Sequence, residues 1–129
     1  MTTEDWNLTA LHYTAGTGHN GTTQLLLKAG ANPNAQAKFT KITPLFEAAS
    51  NGHVKVIQCL LQHGAEIMKR CKWDRTALHA AAEKGHMACV EILVRNRADQ
   101  DSTDSNGYTP LDLAKKEGHL DIVRYLQQI

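Results

Sequence analysis

Thr9, Thr43, Thr76 and Thr109 recur at intervals of 34, 33 and 33 residues, and the residues around each recur with it. That period is the strongest constraint on what this chain can fold into. A unit of about 33 residues holds only one supersecondary element and cannot bury an apolar face alone, so copies must stack and share a continuous core. The fullest copy is Thr76 to Val94, reading Thr-Ala-Leu-His-Ala-Ala-Ala-Glu-Lys-Gly-His-Met-Ala-Cys-Val-Glu-Ile-Leu-Val. Aromatic residues make up only 5% of the 129-residue chain. A stack of short helices can pack on Ala and Leu with few large rings.

Each unit opens on a Thr whose hydroxyl can cap the free N–H groups of a first turn, and Pro44 and Pro110 follow at the first helical position, where a missing N–H costs nothing. Leu11, Leu45, Leu78 and Leu111 then point inward, with small pairs behind them at Thr14-Ala15, Ala48-Ala49 and Ala81-Ala82. Gly18, Gly52, Gly85 and Gly118, each followed by His, break the helix before a second one begins. Its apolar residues fall one turn apart, as in Val56-Ile57 with Leu60-Leu61 and Ile122-Val123 with Leu126. Gly30 and Gly64 end two of the second helices as left-handed caps; Arg97 takes that place in the third unit, at a cost of about 1 kcal/mol if the geometry is kept.

Ala31 to Ile42, Ala65 to Arg75 and Ala98 to Tyr108 connect the units and are too short for a further helix. A two-stranded finger closed by a tight turn fits them, with positive φ expected at Asp74, Gly107 and Asn7. The extra residue between the first two units falls within Gln36 to Lys41 and lengthens one fingertip.

The units carry Thr-Ala-Leu-His-Tyr-Thr, Thr-Pro-Leu-Phe-Glu-Ala, Thr-Ala-Leu-His-Ala-Ala and Thr-Pro-Leu-Asp-Leu-Ala, with Gly-His and Leu-Leu-x-x-Gly-Ala elements in phase. This resembles the ankyrin repeat, whose signature is Thr-Pro-Leu-His-x-Ala. The resemblance covers about Glu4 to Ile129 and implies one domain of four repeats, approximately 4–36, 37–69, 70–102 and 103–129. The implied fold class is an all-α repeat solenoid of helix-turn-helix pairs joined by β-hairpin fingers. Phe46 and Asp112 depart from the motif histidine, which is expected to remove the hydrogen bonding that His12 and His79 supply near their Thr. Lys115 replaces the second small residue and suits a final repeat with no neighbour. The polar start of the first unit's second helix, Asn20-Gly21-Thr22-Thr23-Gln24, resembles an N-terminal cap.

Several function classes are disfavoured. A formal net charge of +1 gives no field to draw the chain onto nucleic acid or anionic membrane. No apolar run approaches the length of a membrane helix, and Met-Thr-Thr-Glu-Asp-Trp lacks the regions of a signal peptide, so a cytoplasmic or nuclear monomer is expected. The seven histidines fall in repeat-determined slots, His19, His53, His86 and His119 in one and His12 and His79 in another, and His63 in the last turn of a helix. They read as structural, and no metal or cofactor is expected. Three cysteines fit neither a disulfide framework nor a zinc site. Cys59 and Cys89 belong to buried helical faces, and Cys71, in a connector, is expected to be an exposed free thiol. No phosphate loop, nucleophile elbow or His-Glu-x-x-His run is present, so no catalytic residues are assigned and no enzyme is expected.

A protein-binding role follows from the resemblance: a non-catalytic module, such as an inhibitor, scaffold or recognition domain, holding a protein or peptide on the concave face formed by fingers and first helices. The variable first-helix positions on that face are Tyr13, Glu47, Ala80 and Leu113, then one turn later Thr17, Asn51, Lys84 and Glu117. Trp6, Phe39, Trp73 and Tyr108 give every finger one large ring, and Trp6 and Trp73 are the expected anchors, since aromatic residues dominate binding hot spots. Lys72 and Arg75 complete the candidate site. With Lys69 and Arg70 they form a basic finger around Asp74 that offers an alternative, nucleic-acid or phosphopeptide binding.

Overall fold

The computed structural model describes residues 8–129. Among them are eight helices in four pairs: α1 (Ala10–Thr17) with α2 (Asn20–Lys28), α3 (Pro44–Asn51) with α4 (Val54–Gln62), α5 (Ala77–Lys84) with α6 (Met87–Arg95), and α7 (Pro110–Lys116) with α8 (Leu120–Gln128). The first helices α1, α3, α5 and α7 pack side by side in one row, and α2, α4, α6 and α8 form a second, looser row behind them. Small residues make the first row tight. Ala15, Ala48, Ala49, Ala81, Ala82 and Ala114 are fully buried, so backbones come close there. Leu45, Ile57, Leu60, Leu78, Leu93 and Ile122 fill the space between rows. Burying each of them stabilises the fold by roughly 1.5–3 kcal/mol.

The Thr caps form as the spacing predicts. Thr9 Oγ1 accepts from the His12 N–H at 3.2 Å, while the Thr9 N–H donates to His12 Nδ1 at 3.1 Å. The same back-bond joins the Thr76 N–H to His79 Nδ1 at 3.1 Å. Since Nδ1 accepts, the ring proton must sit on Nε2, and it donates to a carbonyl of the next finger: Ile42 O at 2.7 Å from His12, Tyr108 O at 3.0 Å from His79. One imidazole therefore closes its own helix and ties it to the following repeat. Asp112 corrects the expectation made for it. Its carboxylate Oδ2 accepts the Thr109 N–H at 3.0 Å and restores the box, so of the two departures only Phe46 lacks the reciprocal side-chain bond, while its own N–H still donates to Thr43 Oγ1 at 3.2 Å. A short carboxylate reaches the N–H that an imidazole reaches, whereas a phenyl ring has no acceptor.

The Gly-His step couples repeats in the opposite direction. His53, His86 and His119 reach back to Gly16 O, Ser50 O and Glu83 O at 3.1, 3.0 and 2.8 Å. Each ring lies against the glycine that ends the preceding first helix; a Cβ on Gly52 would stand 2.8 Å from His86 Nδ1.

The fingers are tight hairpin turns, but no strand forms among the described residues. Cys71 N–H donates to Arg75 O and Asp104 N–H to Tyr108 O, both at 2.9 Å, and one further bond links each finger to the next, Lys72 N–H to Thr40 O at 2.8 Å and Ser105 N–H to Trp73 O at 2.9 Å. Arms this short close one pair and stop before a ladder develops. The inserted residue sits in the second finger, where the closing bond runs from Ala37 N–H to Ile42 O and spans one residue more. Asp74 and Gly107 have the expected positive φ, 62° and 82°; Lys41 adopts 60° in the longer fingertip, and Arg97 keeps the left-handed cap at 69°. Asn7 lies outside the described residues. Cys71 is buried rather than exposed, because its side chain turns inward at the finger base.

Candidate functional site on the fingers and first helices

The candidate residues divide by environment. Phe39, Trp73 and Tyr108 project from consecutive fingers with 52%, 49% and 37% of their surface exposed. Each carries a lysine ammonium near its face: Lys38 at 5.6 Å from the Phe39 centroid, Lys72 at 6.0 Å from Trp73 and Lys116 at 5.4 Å from Tyr108. Such pairs, worth about 0.5–1 kcal/mol at exposed sites, bias the rings' orientation without covering them. Between the third and fourth fingers, Trp73, Arg75 and Asn106 line an open recess of about 340 Å³. Trp6 lies outside the described residues.

On the first helices, Tyr13 is exposed and stacks on His19 with ring centroids 6.3 Å apart and planes 19° apart. Glu47 is half-buried, and loss of solvent raises its carboxyl pKa. Leu113, in the same slot, is fully buried, and so is Ala80. The slot borders the seam between neighbouring first helices: a purely apolar side chain stays in the seam, whereas a phenol or carboxylate extends toward water. Leu113 is therefore core and cannot contact a partner. One turn further on, Thr17, Asn51, Lys84 and Glu117 are all exposed.

Arg75 is a correction of a different kind. Its Nη1 donates to both Glu83 oxygens at 3.0 and 3.1 Å, and its Nε donates to Asp104 Oδ2 at 3.1 Å. Asp104 is buried. Burial alone would push its carboxyl up, but the Tyr108 N–H, the Arg75 guanidinium and the Asn106 N–H hold it below the usual carboxylate range. Arg75 thus bridges the third finger, its own helix and the fourth finger, and its charge is internally neutralised. Arg70 behaves similarly, donating from Nη1 to Asp74 O at 2.7 Å and Thr103 O at 3.0 Å, and Lys69 pairs with Glu66 at 3.5 Å. Of this finger's four cations, Lys72 is the exposed one, and it has no carboxylate partner among the described residues. Glu83, Asp104 and Asn106 were not legible as site residues, since only the register of stacked repeats brings them to Arg75 and Trp73.

A family model described as "Ankyrin repeats (3 copies)" matches residues 1–71 and again 66–128. The chain belongs to the ankyrin repeat family. It is similar to the mouse (Mus musculus) B-cell lymphoma 3 protein homolog, 36% identical over 73 residues, which are 57% of this chain and 16% of that protein. It is also similar to rat (Rattus norvegicus) ankyrin repeat and SOCS box protein 2, 39% identical over 64 residues, 50% of this chain and 10% of that one. A shorter match, 48% identical over 44 residues, covers 34% of this chain and 4% of the phosphate system positive regulatory protein PHO81 of Saccharomyces cerevisiae. The chain therefore spans only a small part of these curated relatives' length. Ankyrin repeats are in general protein-interaction modules, and no helix among the described residues is long and apolar enough to cross a membrane.

Proposed function

We propose that this chain is a non-catalytic recognition module that holds a protein or peptide partner against its fingers and first helices, with Phe39, Lys72, Trp73, Tyr108 and Tyr13 as contacts. One observation carries the reading: three consecutive fingers each expose a large ring with a lysine beside it. A row of half-exposed rings is unfavourable in water and becomes favourable when a partner covers it. Nucleic-acid or phosphopeptide binding through Lys69–Arg75 has weaker support, because Lys69, Arg70 and Arg75 already have protein partners and the net charge is +1. The four units proposed are 4–36, 37–69, 70–102 and 103–129 of one monomeric domain. Three buried free thiols suit the reducing cytoplasm or nucleus.

The test is affinity measurement on a partner isolated with the wild-type chain. A Trp73→Ala, Tyr108→Ala double variant that keeps the wild-type melting temperature should lose at least about tenfold in affinity, as expected for central aromatic contacts. Unchanged affinity would refute the placement on this face.

A further inference from the structure

A second recess lies on the first-helix side, about 220 Å³ in volume and lined by Leu8, His12, Tyr13, Gly16, Thr17 and Glu47. We propose that it receives one basic side chain of the protein partner, an arginine or lysine, whose cation pairs with the Glu47 carboxylate and lies against the Tyr13 ring. This rests on the partner-binding reading above and specifies what part of that partner must contain.

The Glu47 carboxylate is half-buried and has neither an ion pair nor a hydrogen-bond donor among the described residues. Its backbone is engaged, accepting from Asn51 Nδ2 at 2.9 Å, but its charge is not. Residues 1–7 contain no Lys, Arg or His. The third repeat shows the opposite arrangement. There Glu83 projects from a first helix and receives its own arginine, Arg75, at 3.0 Å. A half-buried carboxylate with no internal cation favours one from outside, because desolvated charge is stabilised mainly by an opposite charge with directed donors.

Gly16 leaves the recess open. A Cβ at that position would stand 2.8 Å from Glu47 Oε2, so a side chain there would push the tip of the flexible Glu47 carboxylate aside. The corresponding residues of the other repeats are Ser50, Glu83 and Lys116. Gly16 is inside a helix and its φ is not left-handed, so the backbone conformation does not call for glycine, which weakens a helix interior. Tyr13 supplies the other wall: its exposed ring, stacked on His19, presents an aromatic face of the kind that attracts guanidinium and ammonium groups. The remaining polar groups nearby are occupied, the Thr17 hydroxyl by Tyr13 O and the His53 Nε2 by Gly16 O.

Nuclear magnetic resonance titration with N-acetyl-arginine methylamide tests this, with the citrulline analogue as the uncharged control. The expected result is a saturable shift of the Tyr13, Gly16 and Thr17 amides by the arginine probe, about tenfold weaker with citrulline and in Glu47→Gln, and weakened in Gly16→Ala, whose methyl displaces the carboxylate tip. No saturable shift at these amides, or one that Glu47→Gln leaves intact, overturns the proposal. A partner isolated with the wild type then separates it from the broader reading. Binding that needs Trp73 but is indifferent to Glu47→Gln removes the basic side chain and keeps the surface; binding indifferent to both removes both.

Discussion

Replacing Arg75 by methionine keeps the stem's apolar contact and deletes the charge, so it isolates what the guanidinium does. Two losses follow. Asp104, whose side chain is only 1% exposed, loses its cation at 3.1 Å but keeps the N–H groups of Asn106 and Tyr108, both at 2.9 Å. A charged hydrogen bond lost there costs about 1.5–2 kcal/mol. The Glu83 pair is more open, with side chains 22% and 24% exposed, and contributes about 0.5 kcal/mol after solvent screening. The sum is about 2 kcal/mol, below the 3–5 kcal/mol of a broken, fully buried pair because two backbone donors still hold Asp104. For a chain of this length that lowers the melting temperature by roughly 6–10 °C, measurable by circular dichroism. The Asp104 carboxyl lies below its ordinary range in the fold, so its stabilisation is present above that range and is lost as pH falls through the lowered value. Without Arg75 the folded value is less depressed, so that loss should be smaller and complete at a higher pH. Lys72→Met, on the same finger but exposed, should change stability by less than about 0.5 kcal/mol. If Arg75→Met is equally harmless, the fourth finger is not held by this bridge.

Other expectations follow from single contacts. Gly52→Ala places a Cβ against the His86 ring in a backbone with φ 83° and should destabilise by about 2 kcal/mol, half from the left-handed conformation and half from the displaced bond to Ser50 O, as read from urea unfolding. Arg97→Gly, at φ 69°, should raise stability by up to about 1 kcal/mol in the same assay. Burial lowers the His79 pKa despite its bond to Tyr108 O, so the fold should be fully stabilised above the ordinary histidine value and lose stability as pH falls below it; His79→Gln should be less stable at neutral pH but flatter between about pH 6.5 and 5 in thermal melts. Cys59, Cys71 and Cys89 are all buried, and burial pushes the Cys89 thiol to about 11, so native protein should react with a thiol reagent only at the rate of unfolding. Rapid labelling of Cys71 would contradict its placement.

The helices, their caps and the exposed rings were legible because they depend on local spacing: a Thr three residues before an acceptor, a glycine before a second helix, one aromatic per connector. What was missed depends on the register between repeats. Nothing near Arg75 in the chain announces Asp104, 29 residues on, and nothing in the charge run of the third finger shows that Arg70 is consumed by Thr103 O in the next one. Leu113 illustrates a different limit. Its slot is exposed in the first unit and buried in the last, since the side chain itself decides whether it leaves the seam. Cys71 was misplaced because a connector need not be exposed at its base.

Amide hydrogen exchange on the complex with an isolated partner tests the central claim most directly. Bound partner should slow exchange in the fingers around 37–42, 71–75 and 104–108 and along the first helices, while α2, α4, α6 and α8 keep their free-state rates. Protection centred instead on the second helices, at the outer groove of Gln58, Leu61, Gln62, Ile92 and Asn96, would show that the partner binds the opposite face.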